Sequence, residues 1–369
     1  MAAHTTMLDF HLDTAIIENP DDADNAQQQF TSILSKWEFE QQMMIDTNPG
    51  FIIFYKGSNE THGVVRVYSD GYSTVTLEEG MSCKQASGLS AIAEASKAIQ
   101  EMIVDKLKLS KSKSYLPMKR GGPIDQFITT SDNRLVEYDF DEVVYEGTSP
   151  YQTIKILHSC SFGNMLVLDD LQNIAESDLI YTHTIMRHGI ENYKGKEILI
   201  LGGGDGGLLC ELLKEDPKFM CKDMIIVDDC FKALKKYIKE ERTFDYVFGD
   251  LTDIPITPTP HGEFWDFMRE VLELTLQILA PNGKYLTHGT GLNSVHPQKM
   301  YEEELRQRSV PVRFNKFSAH IPSFLETWVF YEIWKGDIND ANDEFEGADK
   351  LTPTVRKFQI ITFVRRIII

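Results

Sequence analysis

The sequence lacks a basic surplus. Lys and Arg together number 37 against 56 for Asp and Glu, a formal charge of −19 over 369 residues. Nucleic-acid binding needs a basic face to meet phosphates, so this balance argues against it. It suits a cationic small molecule, and it equally suits simple solubility. Cysteine is scarce as well. Cys83, Cys160, Cys210, Cys221 and Cys230 are odd in number, and no pair has the C-x-x-C spacing. Neither a disulfide framework nor a zinc or other metal site is indicated. The opening MAAHTTMLDFHLD has no basic stretch before an apolar run, so no signal peptide is expected. The apolar run from Phe358 to Ile369 is broken by Arg365 and Arg366 and is too short to span a bilayer. There is no internal repeat. A soluble, cytoplasmic protein without membrane or nucleic-acid partners is expected.

What is present is an ordinary globular balance, 42% hydrophobic and 25% charged. The length suggests two or three domains. Residues 1–115 read as a two-layer α/β unit. Phe30, Ile33, Leu34 and Trp37 fall on one helical face, and Ile92, Ala95, Ile99, Ile103 and Leu107 on another. GFIIFYKG and GVVRVYSDGYSTVTL read as strands, with Asp70-Gly71 as a hairpin turn. This unit carries no catalytic constellation and is expected to serve packing or oligomerisation. The basic, Pro- and Gly-containing stretch 106–122 reads as a solvated linker. Residues 123–172 show only short strands and predict a small antiparallel sheet. Residues 173–335 alternate helix and strand, which predicts an α/β domain with a parallel sheet covered on both faces. MIIVDD, at 224–229, is one of its expected strands. The remainder, 336–369, is a tail expected to be partly disordered.

Gly202-Gly203-Gly204-Asp205-Gly206-Gly207 follows the apolar strand EILIL and opens a helix. That context is what a nucleotide-binding loop requires. Asp205 narrows the choice, because a carboxylate there repels a pyrophosphate at the helix N-terminus. The loop therefore suits a nucleoside with a positive arm, a sulfonium or an amine. The competing reading is an Asp that only caps the helix. Asp250, in FDYVFGDLTDIP, stands at a strand's C-terminal end, where open α/β sheets bind ligands, and Asp253 follows three residues later. Two carboxylates there could hold an ammonium group and take a proton from an attacking amine; helix capping or solvation is the alternative. Glu176, Asp178 and Tyr181 open the first helix of the α/β domain, as dipole partners, a core tyrosine or site residues.

These segments together resemble the aminopropyltransferases, the spermidine and spermine synthases. GGGDGG after an apolar strand, AESDLIY before it and FDYVFGDLTDIP carry the resemblance, with SPYQTIKILHS, FGN and PSFLETWVFY. It covers about Met1 to Trp334, and the N-terminal unit with RLVEYDFDEVVYEGTSPYQ points to the spermine synthase branch. The resemblance implies a methyltransferase-type, Rossmann-like catalytic domain and an N-terminal dimerisation domain like the adenosylmethionine decarboxylase fold, hence a homodimer. It implies transfer of an aminopropyl group from decarboxylated S-adenosylmethionine to spermidine, giving spermine and 5′-methylthioadenosine. The donor is a co-substrate, and no cofactor is implied. Asp250 matches the proton acceptor and Asp205 the carboxylate facing the aminopropyl amine. Gln152, Gly203, Gly204, Asp228, Asp229 and Cys230 fall on the donor side. Tyr181, Asp178, Asp253, Phe324 and Glu326 fall on the acceptor side.

The pattern departs from the family in four places. A strand ending in an acidic residue about 20 positions after the loop would hold the ribose hydroxyls. Here one βα unit is missing between Phe219 and Met224, which leaves Asp228 for that role or leaves the site defective. Phe324 replaces a tyrosine, a lost hydroxyl contact worth about 1 kcal/mol. Asp253 is a spermidine synthase feature, and the tail has no counterpart. A putrescine-using enzyme and a non-catalytic, dimerising polyamine binder therefore stay open as alternatives.

Overall fold

The computed structural model describes residues 2–81, 91–130, 132–217 and 225–336, and the backbone of Phe345–Glu346. The chain divides into two compact units, Met1–Gln126 and Phe127–Ile369.

The first unit is a sheet with helices packed on it. Its strands are β1 (Ala2–His11), β2 (Glu40–Asp46), β3 (Phe51–Lys56), β4 (Thr61–Val67), β5 (Tyr72–Met81), β6 (Ser112–Ser114) and β7 (Met118–Gly121). The order is β2-β3-β4-β5-β1-β6, with β7 also on β1. The helices are α1 (Thr14–Glu18), α2 (Pro20–Leu34) and α3 (Ala91–Leu107). Phe30, Ile33 and Leu34 of α2 and Ile99 and Ile103 of α3 are buried on the alternating apolar face of β3, β4 and β5. Gly71 takes a left-handed φ of 88° in the β4–β5 turn, as the Asp-Gly signal predicts. The stretch expected to be a linker is different: β6 and β7 both pair with β1, so residues 112–121 extend the sheet. A composition rich in Lys and Ser hides a strand whose partner lies more than a hundred residues away.

The second unit opens with the hairpin β8 (Phe127–Thr129) and β9 (Leu135–Glu137). An antiparallel meander follows, of β10 (Phe140–Thr148), β11 (Thr153–Ser159), β12 (Gly163–Leu168) and β13 (Leu171–Ala175). Then come α4 (Leu179–Ile185), β14 (Ile198–Gly202), α5 (Gly207–Leu213), α6 (Cys230–Lys239), β15 (Phe244–Asp250), α7 (Glu263–Ile278), β16 (Leu279–Gly291), α8 (Val295–Arg306), β17 (Val312–Ile321), β18 (Glu326–Lys335) and β19 (Phe345–Glu346). The sheet order is β14-β15-β16-β18-β17-β19. Its first three strands are parallel, as expected, and β18 and β17 add an antiparallel flank. The strand β17 had no counterpart in the sequence reading.

One expected strand is not formed. Residues 225–229 of MIIVDD lie outside any strand, with Ile225, Ile226 and Val227 exposed, so β14 is the sheet edge among the described residues. Three consecutive aliphatics read as a buried strand, but that reading needs a neighbour to pair with. The proposed loss between Phe219 and Met224 lies outside the described residues, as does nearly all of the tail.

The parallel strands carry a core on each face. Val247, Tyr285, Val329 and Tyr331 face α6, α7 and α8. Tyr246, Phe248, Leu286, Phe330 and Trp328 face α4 and α5. With a side-chain period of two, Asp250 and His288 continue this second series.

Candidate active site

The glycine loop is shaped by what it packs against. Gly202, Gly203 and Gly206 have φ of 84°, 63° and 77°, conformations that favour glycine. A side chain at Gly202 would run into the Asp250 carbonyl oxygen, and Gly203 N–H donates to that same oxygen at 3.1 Å. The loop is thereby fastened to the end of β15. Gly204 is exposed. Asp205 follows, with Oδ1 accepting from Gly207 N–H at 3.2 Å. The residue as a whole is exposed, yet the protein crowded around its carboxyl weakens that group's hydration. That desolvation, with the Asp250 charge added, pushes Asp205 up to about 6.

Asp250 is the centre of the arrangement. Tyr181, reaching down from α4, donates its hydroxyl to Asp250 Oδ1 at 2.9 Å. Burial and the charges of Asp250, Asp253 and Asp205 raise the Tyr181 phenol well above its usual value, so it stays a donor. Oδ2 of Asp250 faces Gly203, where a Cβ would come within 3.7 Å. One carboxylate oxygen is therefore fixed by the protein, and the other borders the loop. Three carboxylates, Asp205 from the glycine loop and Asp250 and Asp253 from the end of β15 and the loop after it, act on one buried phenol. Among the described residues, no Lys or Arg forms an ion pair with any of them.

On the expected donor side, Gln152 is half-buried just before β11, and its Nε2 is buried with no hydrogen-bond partner among the described residues. Such an orphaned amide is costly unless a ligand satisfies it. Asp228 is engaged: Oδ1 accepts from Lys232 Nζ at 2.9 Å and from Asp229 N–H at 2.8 Å, and Lys232 holds its carboxyl below the usual range. Asp229 caps α6 through Phe231 N–H. Cys230 is half-buried against the core, and burial pushes its thiol up.

On the expected acceptor side, Asp178 is buried and saturated. It accepts from Ala175 N–H, Ser177 Oγ, Ser323 N–H and Ser323 Oγ. Its carboxylate anchors the Ser323 turn, which in turn carries Phe324. Burial raises its pKa despite those donors. Phe324 packs against Tyr181 and edge-on to Trp328, at centroid separations of 6.1 and 5.0 Å. Glu326 opens β18 and accepts from Arg134 Nη2 at 2.6 Å. Asp253, half-exposed, lies 3.2 Å from His288 Nδ1.

Two residues were not singled out from the sequence. His288 sits one step beyond the Gly249–Thr287 register pair, beside Asp250. A polar residue that interrupts the apolar face of β16 at its C-terminal end is the signal that could have found it. Arg134 lies in the β8–β9 hairpin, far from the loop in sequence, and nothing local marks it.

Residues 125–176 match the description "spermidine synthase tetramerisation domain", and residues 178–221 and 220–344 match "spermine/spermidine synthase domain". The chain belongs to the polyamine aminopropyltransferase family. Thermospermine synthase ACAULIS5 of Arabidopsis thaliana is 28% identical over 229 residues, 54% of this chain and 66% of that protein. The polyamine aminopropyltransferase of Pyrococcus abyssi is 26% identical over 248 residues, 58% of this chain and 86% of that one. The spermidine synthase structure from Thermotoga maritima superposes with a TM-score of 0.46 at 18% identity, covering 61% of this chain and 88% of that chain. As a member of this aminopropyltransferase family, the chain falls in the transferase class. The match to the synthase domain comes in two pieces that meet at residues 220 and 221, in the segment where one βα unit is expected to be missing. Among the described residues, no helix is long and apolar enough to cross a membrane.

Proposed function

We propose that the protein is a spermine synthase. It transfers the aminopropyl group of decarboxylated S-adenosylmethionine to spermidine, releasing 5′-methylthioadenosine. The observation that carries this reading is the trio Asp205, Asp250 and Asp253 at the strand ends, without a Lys or Arg partner, around a glycine loop and Tyr181. Two cationic substrates repel each other, and a cluster of fixed carboxylates offsets that repulsion. Asp205, near 6, is mostly ionised at neutral pH and holds the donor's ammonium. Gln152 Nε2 donates to the donor. Asp250 Oδ2 takes the proton of the acceptor amine, which then attacks the carbon beside the sulfonium. The C–S electron pair stays on sulfur, a good leaving group, so no covalent enzyme intermediate is needed. The active form is a cytoplasmic homodimer joined through the Met1–Gln126 unit.

A second reading is a polyamine-binding homologue without turnover. It is favoured by Ile225–Val227 standing outside the sheet and by Asp228 being tied to Lys232. One assay separates the two. Incubate the full chain with decarboxylated S-adenosylmethionine and either spermidine or putrescine, and identify products by mass spectrometry. Spermine from spermidine supports the first reading. Spermidine from putrescine moves the acceptor assignment. Polyamine binding without 5′-methylthioadenosine supports the second.

A further inference from the structure

Asp250, once protonated, must lose its proton before the next turnover. Tyr181 cannot take it, because its hydroxyl is already a donor to Oδ1. Among the described residues, the only other titratable side chain that approaches the Asp250 carboxylate to 4.0 Å or less is His288. The imidazole lies between two carboxylates: Nε2 is 4.0 Å from Asp250 Oδ1, and Nδ1 is 3.2 Å from Asp253 Oδ1. The two carboxylates differ in exposure. The Asp250 side chain is 15% exposed and the Asp253 side chain 45%, while His288 itself is 7% exposed. The three side chains thus run from the reacting site towards solvent.

We propose that His288 is a proton-transfer and positioning residue that carries the proton from Asp250 to Asp253. This rests on the aminopropyltransferase reading above. The acceptor amine gives its proton to Asp250 as the N–C bond forms and the C–S bond breaks. Asp250 passes that proton to His288 Nε2. The Nδ1 proton moves to Asp253 and from there to water, so no oxidant or co-reactant is needed. Its Nδ1 contact with Asp253, at 3.2 Å, is not aligned as a hydrogen bond. The relay needs the 4.0 Å gap between Nε2 and Asp250 Oδ1 to close when the proton is passed. The charged and titratable groups facing the ring are Asp250 from β15, Asp253 from the loop after it and the Tyr181 ring from α4, 6.0 Å away between centroids. Burial lowers the imidazole pKa, but the Asp253 and Asp250 carboxylates outweigh it and raise it from its ordinary value.

The test measures turnover of the full-length wild type, His288→Gln and Asp253→Asn across pH, at rising imidazole buffer concentration. His288→Gln is expected to lower kcat by roughly 10- to 100-fold with the donor KM held within 2-fold. Imidazole should restore at least 5-fold of that loss, and Asp253→Asn should show a smaller loss with the same rescue. A packing role would give neither rescue nor a changed pH profile. Wild-type kcat in His288→Gln, or a loss that no buffer restores in both variants, overturns the relay while leaving the transferase reading intact. If His288→Gln does not fold, the half-exposed Asp253→Asn decides alone. No turnover by the wild type with either acceptor overturns the transferase reading itself, and the relay with it.

Discussion

Two clusters of charge lie on one face of the catalytic sheet, at opposite ends of the same strands, and they are built in opposite ways. At one end Lys284 of β16 bonds Glu191 at 2.6 Å and also Glu332 of β18. Tyr246 of β15 donates to Glu191 at 2.7 Å, and Arg187 stands 3.5 Å from Glu332. Four residues further along each strand are Asp250 and His288, about 13 Å away at the usual strand rise. There the carboxylates meet a tyrosine and a histidine, and no Lys or Arg. Desolvation acts on both clusters. At the first, burial alone would raise Glu191, but Lys284 and Tyr246 hold it below its ordinary range. At the second, desolvation of the Asp205 carboxyl and the neighbouring Asp250 charge push Asp205 up to about 6. Where the protein supplies its own cations the cluster is a brace. Where it withholds them, the missing positive charge is left for a ligand.

The largest expected effect separates the two ends by function. Asp250→Asn should lower kcat by about 10²- to 10⁴-fold, the usual worth of a positioned proton acceptor. Its melting temperature should stay within about 2 °C of the wild type, because no cation loses a partner. Lys284→Met should do the reverse. It leaves Glu191 and the almost fully buried Glu332 short of a partner, a loss of about 3 to 5 kcal/mol in urea unfolding. A Lys284→Met protein as stable as the wild type would break the contrast.

How much of this could be read from residues alone follows the same division. The glycine loop was legible because strand, glycines and helix are consecutive, and Asp250 because a strand end is a local feature. Residues whose roles depend on distant partners were not. Asp178 looks like a site acid or dipole partner within AESDLIY, but Ser323, 145 positions away, consumes its oxygens. The strand β17 mixes Asn315, Lys316 and Ser318 among apolar residues, since both its faces are covered and Lys316 pairs with Glu302. Its alternation is blurred for that reason, and β18 decides the pairing. The expected strand at 225–229 fails the other way: it has the composition and lacks the neighbour.

A third prediction sets function against stability at Asp205. A carboxyl with a folded-state pKa raised to about 6 binds its proton more tightly folded than unfolded. Relative to the ionised state, its contribution to stability is full below the unfolded value and is lost as pH rises through 6. Ionised Asp205 is therefore a cost at neutral pH. Asp205→Asn should raise the melting temperature by about 2 °C at pH 7.5 and by nothing measurable at pH 4. It should weaken the donor, and wild-type donor KM should itself climb as pH falls through 6. A variant that loses stability at pH 7.5 would mean that Asp205 is held by partners after all.

The smallest effect concerns the exception to the contrast. Glu326 is an expected acceptor ligand, yet it already has a cation, the Arg134 guanidinium at 2.6 Å. The Arg134 side chain is 49% exposed and also binds Asp132 at 2.7 Å. A pair of this kind is worth only a few tenths of a kcal/mol to about 1 kcal/mol, so a substrate ammonium can displace it. If Arg134 merely occupies the place of that ammonium, Arg134→Ala should lower the acceptor KM by about 2- to 5-fold and leave kcat unchanged. The gain should shrink in high salt, which screens an exposed pair far more than a buried one. A rise in acceptor KM would assign Arg134 the opposite part, a brace like Lys284 that holds Glu326 in position. The boundary between the self-neutralised and the ligand-neutralised carboxylates would then run between Glu326 and Asp250.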